Sequence, residues 1–329
     1  MSPLTEMLRD EIHCAGPISF RRFMEAALYD PAHGYYRRAR DPFGTQGDFY
    51  TAEQIQPVFG ILMATRIRAL YHEMGAPPGF TVAELGAGRR EMAEAFSEWR
   101  YIPVDLDSGT LPDNIWGVVF CHEFFDALPV EEVAYRGGSY RELRVGWDER
   151  FVWVPGAPVS AEVADYLRRY FPPGEEDARY EVNLAALAWL ERIAHALKDG
   201  YLLTIDYGYT RAESARFSRG TLMSYRRHRA DEDVLYDPGS RDITAHVAFT
   251  ALEEYGAHLG LEAVRLETLA QTLLAAGEAD QFAAALAAPT HGEELRRRLQ
   301  LKTLLFGMGE TFRTLLQRAG GAHARSGTK

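Results

Sequence analysis

The residues with the most chemistry in them are carboxylates set beside glycine turns and aromatic rings. Glu84-Leu85-Gly86-Ala87-Gly88 closes an apolar run, TVAELGAG at 81–88. A strand that delivers an acid into a tight glycine turn presents it at the carboxyl edge of a parallel sheet, where ligands bind. The glycines let the backbone approach that ligand closely. A dinucleotide turn, G-x-G-x-x-G, would carry a third glycine where this chain has Glu91. A carboxylate two residues before the first glycine also sits badly beside a pyrophosphate. The pattern fits a positively charged ligand without phosphate, such as S-adenosyl-L-methionine. Asp105 lies 19 residues beyond Gly86, at the end of the next apolar run, the usual place for an acid that grips ribose hydroxyls. The plain alternative is an ordinary strand–turn–helix with a surface glutamate.

A second constellation is His122-Glu123-Phe124-Phe125-Asp126-Ala127-Leu128-Pro129. Two acids three apart bracket two phenylalanines. Acids beside apolar rings are costly to bury unless something positive pairs with them, so Glu123 and Asp126 are candidates to hold a cationic acceptor. A helix N-terminus that favours acids is the competing account. In the loop GTQGDFYT at 44–51, Asp48 is a weaker catalytic candidate and Thr51 a candidate donor contact, against an ordinary turn. Asp206 interrupts the apolar run YLLTIDYGY at 201–209, where it could cap the adjoining backbone. Residues 219–245 are polar and aperiodic, which is unusual unless functional. They hold His228, a further weak catalytic candidate, and lead to His246; for a lone histidine a structural role is the ordinary one.

Composition narrows the classes. The 329 residues carry 36 basic and 47 acidic side chains, a formal charge of −11. Bulk electrostatics therefore argue against nucleic acid and weakly favour a basic ligand. Lys198, Lys302 and Lys329 are the only lysines, and none follows a glycine, so no phosphate-binding P-loop exists. There is no G-x-S-x-G elbow. His122-Glu123 begins like a zinc-protease motif, but Asp126 stands where its second histidine would be, so no metal is expected. Cys14 and Cys121 have no metal or disulfide spacing and point to a reducing compartment. No apolar run approaches a membrane span, and residues 1–10 contain no apolar signal core. The expectation is a soluble, cytoplasmic chain without membrane insertion.

Hydrophobic periodicity and breaker residues outline the scaffold around these side chains. Residues 4–14 are amphipathic, Ser19 can cap a helix over 20–29, and helical spacing predicts a longer helix over 57–74. From 81 the rhythm becomes βαβ: strands at 81–88, 101–107 and within 116–130, with a helix over 89–96 between the first two. Residues 131–154 alternate like a β-meander around Gly137-Gly138. Helices are expected at 159–171 and 181–198, strands at 201–209 and 260–269, and helix through the C-terminal third, with a disordered tail after Ala319.

Taken together, GPISFRRFMEAALYDPAHGYY, GDFYTAEQI, ELGAG, HEFFDALPV, LLTIDYGY, GTLMSYRRH and DITAHVAF resemble, in order, the MidA-like proteins over about residues 10–265. Several separate motifs in one order argue against chance. That family includes mitochondrial complex I assembly methyltransferases and bacterial relatives. The resemblance implies an α/β, Rossmann-like class I S-adenosyl-L-methionine-dependent methyltransferase fold. It would comprise an N-terminal helical segment (1–75) and a methyltransferase domain (76–329), with a meander and helical insertion at about 131–180 capping the site. It implies a protein arginine N-methyltransferase whose acceptor is a protein or other basic group, in some members a respiratory complex subunit. A non-catalytic assembly factor and a small-molecule methyltransferase are the alternatives. By the same resemblance Glu84, Gly86 and Gly88 line the donor site, Asp105 is the ribose acid, and Glu123 and Asp126 stand in the family's NEFFDALP-like motif. Three departures stand out. Arg90 replaces a glycine, His122 replaces an asparagine, and 107–116 is too short for the helix and strand the family has there, which removes part of the adenine wall.

Overall fold

The computed structural model describes residues 1–38 and 51–320. Asp48 and the expected tail after Ala319 lie outside the described residues, apart from Gly320. The chain forms two compact units: residues 51–125, 188–208 and 251–329 make one, and residues 1–50, 126–187 and 209–250 the other. This division differs from a break at 75, because the helix Val58–Glu73 contributes its buried face to the first unit's core.

The first unit is built on a twisted sheet. Its strands are β1 (Thr81–Leu85), β2 (Arg100–Val104), β3 (Ile115–His122), β4 (Leu197–Tyr209), β5 (Glu262–Thr268) and β6 (Phe312–Ala319). They lie in the order β5-β6-β4-β3-β1-β2. β2, β1, β3 and β4 are parallel, and β6 runs antiparallel to both β4 and β5. All five residues of β1 are buried, as expected for a central parallel strand covered on both faces. Gly117 in β3 lies opposite Gly200 in β4. A Cβ on Gly200 would collide with the Gly117 carbonyl oxygen, so only glycine permits that approach. Val82, Phe120, Leu203 and Ile205 of the sheet pack with Phe59, Leu62 and Ile67 of the helix Val58–Glu73 and with Leu273 of the helix Leu269–Glu278. This is the α/β, Rossmann-like architecture read from the βαβ rhythm.

Three elements depart from the sequence expectation. Residues 89–96 form successive turns rather than a helix. Arg90 takes a left-handed φ of 62°, which ends any right-handed helix at its second residue, while Met92 and Phe96 are buried in the core. Residues 312–319 form β6 rather than helix. Phe312, Thr314, Leu315, Leu316 and Gln317 are all buried, so this strand shows no alternation to distinguish it from helix. The expected helix over 181–198 is a strand, Arg179–Val182, followed by the helix Leu184–Ala196. Asn183 marks the change, its side chain accepting from the Ala186 N–H at 2.8 Å. The short stretch after β2 makes only a bridge between Asp105 and Ser108 before Ile115, which leaves β2 at the sheet edge.

The second unit has its own core, in which Leu4, Leu8, Phe20, Phe23 and Met24 pack with Val145 and Phe151. Its helices are Pro3–Ala15, Phe20–Tyr29 and Ala161–Tyr170. Ser19 accepts from the Arg22 N–H at 3.1 Å and caps the second of them as expected. The meander is present as Glu131–Arg136, Ser139–Asp148 and Arg150–Pro158, extended by Arg179–Val182. The aperiodic segment forms a small sheet from Met223–Arg226, Arg229–Asp231 and Asp242–Thr244.

Candidate functional site

The carboxyl ends of β1, β2 and β3 gather most of the sequence candidates in the first unit. β1 carries Glu84, 1% exposed, into the turn at Gly86, whose φ is 75°. The Gly86 and Ala87 N–H groups donate to the Val104 carbonyl at 2.9 and 3.2 Å, which ties this turn to the end of β2. A Cβ on Gly86 would come 3.2 Å from Phe124 Cδ2. Asp105 Oδ2 accepts from the Gly88 N–H and Oδ1 from the Leu106 N–H, both at 2.6 Å. The acid expected at the ribose position thus also shapes the glycine turn. Thr51 is buried next to the short 3-10 turn Ala52–Gln54.

That turn supplies a residue the sequence reading passed over. Glu53 is 8% exposed, and its carboxyl hydrogen-bonds that of Glu84. Burial, then the charge of Glu84, hold the Glu53 carboxyl well above the usual carboxylate range. Burial also lifts Glu84 to about 7, opposed by hydrogen bonds from Tyr101, whose hydroxyl donates to Glu84 Oε2, and from Glu53. Two hydrogen-bonded carboxyls must share a proton. The signal in the sequence was the motif GDFYTAEQI itself, whose acid lies two residues beyond Thr51.

His122, the last residue of β3, is buried among Phe59, Phe120 and Phe312, with ring centroids 5.3, 6.4 and 5.8 Å away. Burial pushes its pKa down to about 3, so the ring is neutral. Its Nδ1 lies 3.4 Å from Glu53 Oε1 and its Nε2 3.6 Å from Glu123 Oε1. Glu123 holds φ at 48° with its N–H donating to the Ile205 carbonyl at 3.0 Å. A left-handed glutamate costs on the order of 1 kcal/mol, and such strain concentrates at functional positions. Asp206, fully buried, accepts from the Phe125 and Tyr207 N–H groups at 3.0 and 2.9 Å. The expected cap therefore ties the exit of β3 to β4. Phe124 meets Trp189 edge-on at 5.1 Å.

The other candidates fall in the second unit. Asp126 is 4% exposed, and its carbonyl accepts from the Ala245 N–H. His228 is exposed at the tip of the hairpin joining Arg226 to Arg229, where it and Arg227 take positive φ. A turn tip explains its place without chemistry. His246 is partly buried against Phe217 at 5.3 Å, and its N–H donates to Thr221 Oγ1.

Comparison with known proteins identifies the family. Residues 97–266 match the family model of S-adenosyl-L-methionine-dependent methyltransferases, over more than half of the chain. The mitochondrial protein arginine methyltransferase NDUFAF7 of Homo sapiens is 27% identical, across 76% of this chain and 69% of that protein. Its Drosophila melanogaster homolog is 27% identical, across 75% and 68%. A methyl transferase structure from Burkholderia thailandensis, bound to S-adenosyl-homocysteine, superposes with a TM-score of 0.84 at 29% identity, covering 98% of this chain and 94% of that one. The expectation of a cytoplasmic chain is overturned: these curated relatives are mitochondrial proteins, and neither composition nor motif carries that address. Among the described residues no helix is long and apolar enough to cross a membrane. Glu84, the glycine turn and Asp105 lie at the carboxyl edge of the parallel strands, where ligands of such sheets bind. The chain belongs to the MidA-like family of S-adenosyl-L-methionine-dependent methyltransferases, and S-adenosyl-L-methionine is its cofactor.

Proposed function

We propose that the chain is a protein arginine N-methyltransferase. The observation that carries this reading is the group of three carboxyls, Glu53, Glu84 and Glu123, around a neutral His122. Among the described residues no arginine or lysine is paired with Glu53 or Glu84. Buried acids without a fixed cation favour a cationic ligand. A guanidinium stays charged at neutral pH and matches carboxylates bidentately. The names of the curated relatives support the same acceptor.

In this reading Glu84, Gly86, Gly88, Asp105 and Thr51 hold the donor, which when bound supplies a methyl group on a positively charged sulfonium. Glu123 orients the acceptor guanidinium, and holding two reactants in line supplies much of the rate. Asp126 and His228, in the second unit, are separate and weaker candidates. Radiolabelled methyl transfer to lysate proteins, from a strain lacking this protein, tests the reading. Glu123→Gln keeps the shape and removes the charge, so labelling of an arginine-bearing protein should fall at least ~100-fold, the scale of one preorganised electrostatic contact. S-adenosylhomocysteine affinity should be unchanged. Equal labelling by both proteins removes Glu123 from the mechanism. Donor binding without labelling by either, or label found only on small molecules, overturns the protein acceptor.

A further inference from the structure

We infer that Glu123, His122, Glu53, Glu84 and Tyr101 form a proton relay that carries the acceptor's proton away from the reacting nitrogen. The inference rests on the arginine reading of the site and assigns roles to Glu53 and His122 that the donor and acceptor contacts do not require.

Methylation of a guanidinium has a proton to dispose of. The acceptor nitrogen's lone pair forms the new N–C bond, and the electrons of the breaking C–S bond remain on sulfur. One N–H proton must then leave, or the product carries two charges. A buried site needs a path for it.

The described groups are arranged in such a path. Glu123 Oε1 faces His122 Nε2 at 3.6 Å, and His122 Nδ1 faces Glu53 Oε1 at 3.4 Å. Glu53 hydrogen-bonds Glu84, and Glu84 Oε2 accepts from the Tyr101 hydroxyl. Such catalytic contacts are commonly long before substrate binds and tighten in the complex. His122 Nε2 is buried and has no hydrogen-bond partner, while its side chain is 1% exposed. A neutral imidazole donates from one nitrogen and accepts at the other. Nδ1–H toward Glu53 with bare Nε2 toward Glu123 is the tautomer this geometry assigns, and it is the one able to receive a proton from Glu123. Glu123 takes the acceptor's proton and passes it to Nε2 as Nδ1–H passes its own to Glu53. An imidazolium, expensive in this apolar surround of Phe59, Phe120 and Phe312, never has to persist. The pair holds one proton, so Glu53 receives on Oε1 as its own proton shifts to the Glu84 carboxylate. The Tyr101 hydroxyl, which donates to Glu84 Oε2, is only partly buried; when it turns outward, Glu84 gives its proton to the solvent that enters, and Tyr101 keeps its own. The charged groups facing the path are Glu91, beside Glu53 and Glu84, Asp105 beside Glu84, and Arg90 beside Tyr101.

Two measurements test the relay. In protein labelled with ¹⁵N at histidine, with S-adenosylhomocysteine added, the ring signals lost in His122→Asn identify His122. They should report a neutral Nδ1–H tautomer from pH 5 to pH 9; an imidazolium at pH 7 or an Nε2–H tautomer overturns the relay. Single-turnover methyl transfer to the lysate protein labelled by the parent should slow roughly 100-fold in His122→Asn and in Glu53→Gln, the scale of a lost proton-transfer partner. S-adenosylhomocysteine affinity by calorimetry should match the parent in both. The parent's rate should fall on acidification through about pH 7, as Glu84 takes the pair's second proton and leaves no room for another, and Glu53→Gln should abolish that limb. Parental rates in both variants, with Glu123→Gln inactive, overturn the relay and leave the arginine reading standing. Absence of labelling by the parent overturns both.

Discussion

Each unit buries a pair of glutamates, and the two pairs are settled differently. In the second unit Glu132 and Glu181 lie directly opposite on antiparallel strands, both buried and both with carboxyls raised by burial. Fixed partners hold Glu181, while Glu132 has an arginine nearby and a buried Oε2 without a hydrogen-bond partner. Arg179 lies 4.0 Å from Glu132, and Glu181 Oε1 accepts from the Thr221 and Leu222 N–H groups at 2.5 and 3.2 Å. That pair anchors the loop of the GTLMSYRRH motif. In the first unit Glu53 and Glu84 have each other, Tyr101 and a neutral histidine. Partners made of backbone and arginine fix a loop; partners that can themselves give or take a proton leave the pair ready for a cation or a proton. The same residue type at similar burial therefore has fixed backbone and arginine neighbours in one unit and titratable neighbours in the other.

The comparison can be broken by substitution. The largest effect is expected at the glycine turn. Gly86→Val places a branched side chain at φ 75° against Phe124. It should reduce S-adenosylhomocysteine binding beyond detection by calorimetry while the thermal transition remains cooperative. Parental binding by the variant would mean the donor lies elsewhere. For the parent, with β2 at the sheet edge, the dissociation constant should be about 10–100 µM, or roughly −7 to −5 kcal/mol; a nanomolar value would show that another element supplies the adenine wall.

Next comes the structural pair. Glu181→Ala leaves the Thr221 and Leu222 N–H groups without their acceptor, which should cost about 2–3 kcal/mol in urea unfolding. Glu53→Gln should change stability by less than ~1 kcal/mol. If the two costs are equal, the distinction between the pairs collapses.

The pH dependence of stability sharpens the point. Glu84 titrates near 4.5 when unfolded and at about 7 when folded. The folded state then binds more protons across that window, so this contribution is complete below pH 4.5 and is lost as pH rises through about 7. Unfolding free energy should fall over this interval in the parent, and Glu84→Gln should flatten the fall. A parent whose stability rises there would contradict the shared proton. The smallest effect is at Arg90, held at φ 62°, a conformation that glycine adopts without strain. Arg90→Gly should raise stability by about 1 kcal/mol, seen as a higher urea midpoint at unchanged slope.

Fold class and the glycine turn after β1 were legible in the chain alone. β1 ending at Leu85, the positive φ of Gly86 and the acid at 105 are local facts: a buried apolar run needs a strand, and a tight turn needs glycine. The capping roles of Ser19 and Asp206 were equally legible, because a short polar side chain next to free backbone N–H groups has few other uses. Packing in three dimensions made residues 312–319 a strand, since a segment buried on both faces has no period to read and its conformation is set by the open edge of β4. Packing also kept 89–96 from being a helix, because Arg90 turns left-handed while Met92 and Phe96 are drawn into the core. Proton sharing between Glu53 and Glu84, 31 residues apart, was likewise invisible in the chain. A carboxyl's ionisation depends on what lies within a few ångströms of it in space, and folding alone sets that neighbourhood.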